Sequence, residues 1–252
     1  MSPSFRPVTL GCGALLLALA ATGCSETSSQ DSPRRDAFTV SGGRLTVVSD
    51  NSRLELVAAD VDRVEVTHWY EGWSTGGDIE PVTRWEGGKL RLDIDCGGLL
   101  KNCDSRYEVK VPRGLRVSAR SENETVTANG FADGLTLRSD NGDVRAGDVS
   151  GPLELRSSNG SVTAEAVASD DVEAVAENEA VRLDFDRVPS TVDASSSNGS
   201  VRITVPRADY AVEATSDGGD VEVSVPRDGG SGKRITAHSD NEKVSVAPAD
   251  SE

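Results

Sequence analysis

Two aspartate pairs, Asp93/Asp95 and Asp184/Asp186, stand two residues apart among the apolar residues Leu92, Ile94, Leu183 and Phe185. On a strand this spacing puts both carboxylates on one face, where they could serve as an acid pair on a polysaccharide or hold calcium. The same alternation also makes them the solvated side of a half-buried strand, which is the simpler reading. A second group is aromatic. His68-Trp69-Tyr70-Glu71-Gly72-Trp73, followed by Trp85, gathers all three tryptophans of a chain that is only 4% aromatic. Trp69, Tyr70, Trp73 and Trp85 are therefore candidate binding residues, a surface for stacking sugars or anchoring a protein. The competing reading is a hydrophobic plug over the end of a larger structure.

The sequence holds no His-Glu-x-x-His, no Gly-x-Ser-x-Gly elbow and no glycine-rich calcium nonapeptide. With two histidines and four cysteines in 252 residues, no catalytic residue, metal site or cofactor is expected. The formal charge of −16 excludes nucleic acid as a partner, because phosphate binding needs clustered cations.

The N-terminus explains the cysteines. Arg6 precedes an apolar run from Val8 to Ala21, the layout of an export signal. The run ends Leu19-Ala20-Ala21-Thr22-Gly23-Cys24, small residues leading into a cysteine, which resembles a bacterial lipobox. Cys24 is then the acylated first residue of the mature protein, carrying diacylglyceryl and palmitate. Residues 25–36 contain no large apolar side chain and read as a flexible polar tether. Export also makes Cys96 and Cys103 a disulfide, contributing about 2–3 kcal/mol by closing a short loop.

What must position these groups is a repeat. Asn51, Asn123, Asn141, Asn159, Asn178, Asn198, Gly218 and Asn241 mark eight copies. Positions six and four before the marker, and three and five after it, are apolar in every copy, as in Leu135, Leu137, Val144 and Ala146. Period-two alternation on both sides of a turn predicts two strands per copy, each with one buried face. A serine lies two before the marker in seven copies, with Ala176 in the eighth, and is expected inward where the core is narrow. Asn123, Asn141, Asn159, Asn178, Asn198 and Asn241 are expected as turn residues taking a left-handed backbone.

Two architectures fit. Asn-Gly hairpins would give an antiparallel β-sandwich. A near-constant period fits a β-solenoid of about 18–20-residue two-strand coils, each stacked on the last. A hairpin at Asn141-Gly142 would oppose Asp140 to Asp143 and Arg138 to Arg145, which is unfavourable. The solenoid is therefore preferred, with seven copies forming a rod of roughly 30–35 Å.

At these residues the chain resembles the bacterial putative-adhesin family of β-strand-repeat domains of unknown function. The likeness is carried by Val109-Lys110-Val111-Pro112-Arg113-Gly114-Leu115, by the units at 139–144, 157–162 and 196–201, and by Gly43-Arg44-Leu45-Thr46-Val47. It spans about residues 37–248 and implies an extended β-helix on the cell surface. Glu124, Glu179 and Glu242 depart from the usual Asn-Gly.

The expected organisation is a signal peptide (1–23), acylated Cys24 with its tether (24–36), an irregular β region with the tryptophans and the disulfide (37–114), regular repeats (115–248) and a tail (249–252). The expected function is a monomeric, lipid-anchored module on the outer face of the cell membrane. It would adhere to or scaffold cell-wall glycan or envelope protein without catalysis. A polysaccharide-acting β-helix enzyme and an envelope-stress sensor are the alternatives. Acids converging in one groove opposite an Arg or Lys would favour the enzyme.

Overall fold

The computed structural model describes residues 26–29 and 33–249. The signal peptide and the lipidation site Cys24 lie outside the described residues.

The alternation seen in the sequence becomes strands throughout. β1 (Glu26–Ser29) and β2 (Arg34–Phe38) precede a first coil made of β3 (Arg44–Ser49) and β4 (Arg53–Ala59). The chain then leaves through β5 (Val64–Thr75), β6 (Ile79–Glu86), β7 (Lys89–Cys96) and β8 (Leu100–Pro112). Coils resume with β9 (Arg116–Ser121) and β10 (Val126–Asn129), then β11 (Leu135–Ser139) and β12 (Val144–Val149), then β13 (Leu153–Ser157) and β14 (Val162–Val167). They continue with β15 (Asp171–Ala176) and β16 (Val181–Phe185), then β17 (Thr191–Ser196) and β18 (Val201–Val205). The last two are β19 (Ala211–Ser216) with β20 (Val221–Val223), and β21 (Arg234–Ser239) with β22 (Val244–Pro248).

The first strand of each coil enters one sheet and the second enters the other, and coils pair in parallel. Val126, Val144, Val162, Val181 and Val201 follow one another in register. The fold is an all-β solenoid, and no Asn-Gly hairpin forms. The first coil belongs to this stack, since Leu45 pairs with Val117 and Leu54 with Val126. One continuous core runs from Leu45 to Val246, with each fully buried Val or Leu contributing about 1.5–3 kcal/mol. The irregular region before residue 114 and the regular repeats after it share this core.

The stack departs from sequence order at its far end. β21 lies between β17 and β19, and β22 lies between β18 and β20. The last coil in sequence is thus the second-to-last in space. Its columns Ile235, Ala237, Val244 and Val246 are fully buried. The exchanged coil at the end has a three-residue β20, and its Val221 is 45% exposed. A short final edge offers little to a further strand.

The corners correct the reading of asparagine. Among the described residues, positive φ in non-glycine residues occurs at Asp148 (50°) and Ala166 (52°), not in the Asn column. Together with Gly130 (83°) these lie seven residues after Asn141, Asn159 and Asn123, at the end of the second strand, where β14 shifts register against β16. Asparagine is used for its amide. Asn159 Nδ2 donates to Asn141 Oδ1 (2.8 Å) and to the Asp140 carbonyl (3.1 Å), while its own Oδ1 accepts from Asn178 (2.8 Å). The ladder runs through Asn51, Asn123, Asn141, Asn159, Asn178, Asn198 and Asn241. It stops where Gly218 follows Asn241 in space.

Serine does more than fit. Ser157 Oγ accepts the Gly160 N–H (3.0 Å) and donates to the Gly142 carbonyl of the neighbouring coil (2.9 Å). At Gly160 glycine is a packing requirement, because a Cβ there would meet the Gly142 carbonyl oxygen at 2.3 Å, whereas Glu124, Glu179 and Glu242 hold the same place in other coils.

Antiparallel strands close the near end. β5 pairs with β8, and β6 pairs with β7. β1 and β2 both pair with β5, so residues 26–29 and 34–36, expected as flexible tether, are strand.

Candidate functional site

β7 and β8 form a coil of their own beneath the first, β7 against β3 and β8 against β4. They do not turn at the usual corner. Both strands continue outward with β6 and β5, making a two-layered tongue whose tips are Gly76-Gly77-Asp78 and Gly97-Gly98-Leu99. Close backbone approach requires glycine here: a Cβ on Gly77 would lie 2.3 Å from Gly98 N. Cys96 and Cys103 are joined, clamping the end of β7 to β8 as expected.

Alternation along β5 divides the aromatic group. Val64, Val66, His68 and Ser74 are buried, and Tyr70 shares their parity. Trp69 and Trp73 share the opposite, outward face. Trp73 is 39% exposed and Leu99, at the neighbouring tip, is 97% exposed. Trp69 is half-buried beneath the Arg106 guanidinium, 4.5 Å above its ring, a cation–π contact. Trp85 lies elsewhere. It stacks on Phe38 at 5.5 Å, and both pack against the end of the core. The four candidates thus serve two purposes: Tyr70 and Trp85 in the end plug, Trp69 and Trp73 on the surface.

The plug contains a buried histidine that sequence reasoning passed over. The His68 ring stacks on Tyr107 (4.2 Å) and Tyr70 (5.5 Å), and its Nε2 lies 3.0 Å from Ser105 Oγ. Its Nδ1 is buried without a partner among the described residues. Burial, then the Arg34 charge, pull its pKa down to about 4 against an opposing effect of Asp36. Tyr107 aims its hydroxyl at the carbonyls of Asp93 (2.7 Å) and Val82 (3.0 Å), and burial pushes its pKa up.

Alternation places Asp93 and Asp184 on outer strand faces, but the second pair does not share one strand. Asp93 is half-buried on the outer side of β7 and accepts the N–H of Ile94 (2.9 Å) and of Asn51 (3.2 Å). Burial raises its pKa against these two bonds. Asp184 is outward on β16, while Asp186 lies past the strand end. A groove does cross the outer face of the other sheet, with Glu154, Glu173 and Asp193 in one row and Arg44 and Arg116 at its rim. Glu154 accepts from Arg138 (2.5 Å) and Arg156 (3.1 Å), and Glu173 pairs with Arg156. Partial burial pushes Glu154 up, but the two arginines more than offset it and hold the carboxyl below its usual range. A general acid for glycoside cleavage needs the opposite shift.

Residues 74–250 match the family described as Toastrack DUF4097. The chain belongs to this family. The Toastrack match begins within β5 and takes in the tongue's tips and every later coil. A search of curated proteins found no match. Among solved structures, a "putative adhesin" from Bacteroides fragilis NCTC 9343 is 12% identical, covering 87% of this chain and 98% of its own, with a TM-score of 0.49. A "putative cell adhesion protein" from Clostridium sporogenes ATCC 15579 is 10% identical, covering 86% and 100%, with a TM-score of 0.36. A "Putative lipid binding protein" from Parabacteroides distasonis ATCC 8503 is 13% identical, covering 88% and 98%, with a TM-score of 0.38.

Proposed function

We propose that this Toastrack chain is a non-catalytic interaction module, held by lipid on Cys24 at the outer face of the bacterial cell membrane. Its contact surface is the outward face of the tongue. The observation that carries this reading is the placement of Trp73. The core leaves it 39% exposed, on the same strand face as Trp69 and four residues along, about 13 Å away. The disulfide and the glycine contacts hold that face rigid, so little conformational entropy is lost on binding. Indole faces stack on sugar rings or anchor a protein partner; envelope glycan or an envelope protein is the partner class.

The test is a binding assay of the purified chain against cell-wall fractions and envelope proteins. Trp73→Ala should weaken binding by about tenfold or more with the melting temperature within about a degree of the parent. Undiminished binding would refute the assignment of the face. A melting temperature lowered by several degrees would place Trp73 in the plug.

The acidic row beside Arg44 and Arg116 is the observation behind the second reading, an enzyme acting on polysaccharide, and the lowered pKa of Glu154 is the observation against it. Turnover of a uronic polysaccharide, abolished by Glu173→Gln or Asp193→Asn, would replace the interaction reading with that one.

A further inference from the structure

We propose that Asp217, His238 and Asp240 form a site for a divalent transition-metal ion at the far end of the rod. The exchange of the last two coils sets it up. β19 lies against β21, pairing Ser216 with Ser239, so Asp217 and Asp240 follow each other at adjacent corners and His238 faces outward beside them. One carboxylate oxygen from each aspartate and one imidazole nitrogen lie within 4.8 Å of one another. Ligand bonds of about 2.0–2.2 Å to a common ion put donor atoms about 3.3 Å apart. Exposed side chains reach that by small rotations.

Charge argues for a cation here. Along the same corner Asp140 is met by Arg120 and Asp50 by Arg91. The columns that supply those arginines hold His238 and Thr215 in the last two coils. Asp217 and Asp240 make no ion pair with Lys or Arg among the described residues, and like charges at adjacent positions repel.

The imidazole is already oriented. Nδ1 lies 2.8 Å from Thr215 Oγ1 and Nε2 lies 2.8 Å from Asp240 Oδ1. The Thr215 hydroxyl can accept from Nδ1–H while Nε2–H donates to Asp240; a metal ion binding at Nε2 releases that proton to solvent and takes its place between Nε2 and Asp240. One nitrogen and two carboxylate donors suit zinc and its neighbours better than calcium or magnesium, and three protein ligands leave coordination positions for water or a ligand's carboxylate. Because the ligands come from two coils, the ion would also pin the exchanged end coil to its neighbour. The site is independent of the tongue.

The test is titration of the chelator-treated full chain with Zn2+ at pH 7.5, read by calorimetry and by melting temperature. Saturable binding of one ion per chain with a raised melting temperature is expected. His238→Gln should abolish both, and Asp217→Asn and Thr215→Val should each weaken binding by about tenfold. Asp217 makes no side-chain hydrogen bond among the described residues, so its variant has a metal-free melting temperature equal to or above the parent's and carries the test if the others fold poorly. Absence of saturable binding, or binding indifferent to both His238→Gln and Asp217→Asn, would overturn the proposal.

Discussion

Asn159 donates its side-chain amide to Asn141 Oδ1 at 2.8 Å, joining corners 18 residues apart in sequence and one coil apart in space. Repeated down the rod, this bond makes the asparagine column a hydrogen-bonded spine along one edge of the solenoid.

Position in the spine sets the cost of losing a member. Asn159→Ala removes three side-chain bonds, whereas Asn51→Ala at the end removes the single ladder bond to Asn123. The interior substitution should cost about 1–2 kcal/mol and the terminal one clearly less, read from urea midpoints. Equal costs would mean that asparagine acts through its turn propensity alone.

Ala166 holds a φ of 52°, a region that penalises a Cβ. Because the residue is exposed, Ala166→Gly removes strain and little packing. It should raise stability by about 0.5–1 kcal/mol, and a lowered denaturation midpoint would contradict this. Gly130→Ala, at the equivalent corner with a φ of 83°, should do the reverse.

Ala176 interrupts the serine column. By analogy with Ser157 above it, a hydroxyl there would accept the Glu179 N–H and donate to the Gly160 carbonyl. Ala176→Ser is expected to stabilise by about 1 kcal/mol, and Ser157→Ala to cost about 1–3 kcal/mol because buried polar groups lose their partners. If both are neutral in chemical denaturation, the column constrains size only.

His68 should make stability depend on pH. Its folded pKa of about 4 lies below the unfolded value of about 6.5, so the unfolded chain binds a proton that the folded one rejects. Its contribution is fully present above pH 6.5 and is lost as pH falls toward 4. At pH 5 the loss is on the order of 2 kcal/mol. The fall in urea midpoint between pH 7.5 and pH 5 should shrink in His68→Phe, and an unchanged fall would assign it to carboxylates.

The coil was legible in the sequence because two strands with one buried face each impose period two on the residues around every corner. Four apolar columns repeated eight times fit both a solenoid and a sandwich of hairpins, and the like charges that a hairpin would oppose favour the solenoid. The inward set Leu45, Val117, Leu135, Leu153 and Val172 lies where that alternation put it, and the Cys96–Cys103 bond, expected from export, is formed. What the asparagine and serine side chains bond to was not legible, because each reaches a carbonyl or amide of another coil, the serines while also accepting an N–H of their own corner. Nor was the split of the tryptophans. Trp69 and Tyr70 are adjacent in sequence, and which of them faces water depends on the register of β5 against β8.

By itself, the sequence determined the repeat: its length, its two strands with their inward columns, and an acidic outer surface. Only the tertiary structure decided the order of the coils. Because Val201 can pair equally well with Val221 or Val244, identical columns make neighbouring registers nearly degenerate. Loop closure distinguishes them weakly, since its cost grows only slowly with length. The better-packed coil therefore takes the interior and the poorer one the edge. That exchange brings Asp217 to Asp240 and His238, and the tongue separates Trp73 from Trp85.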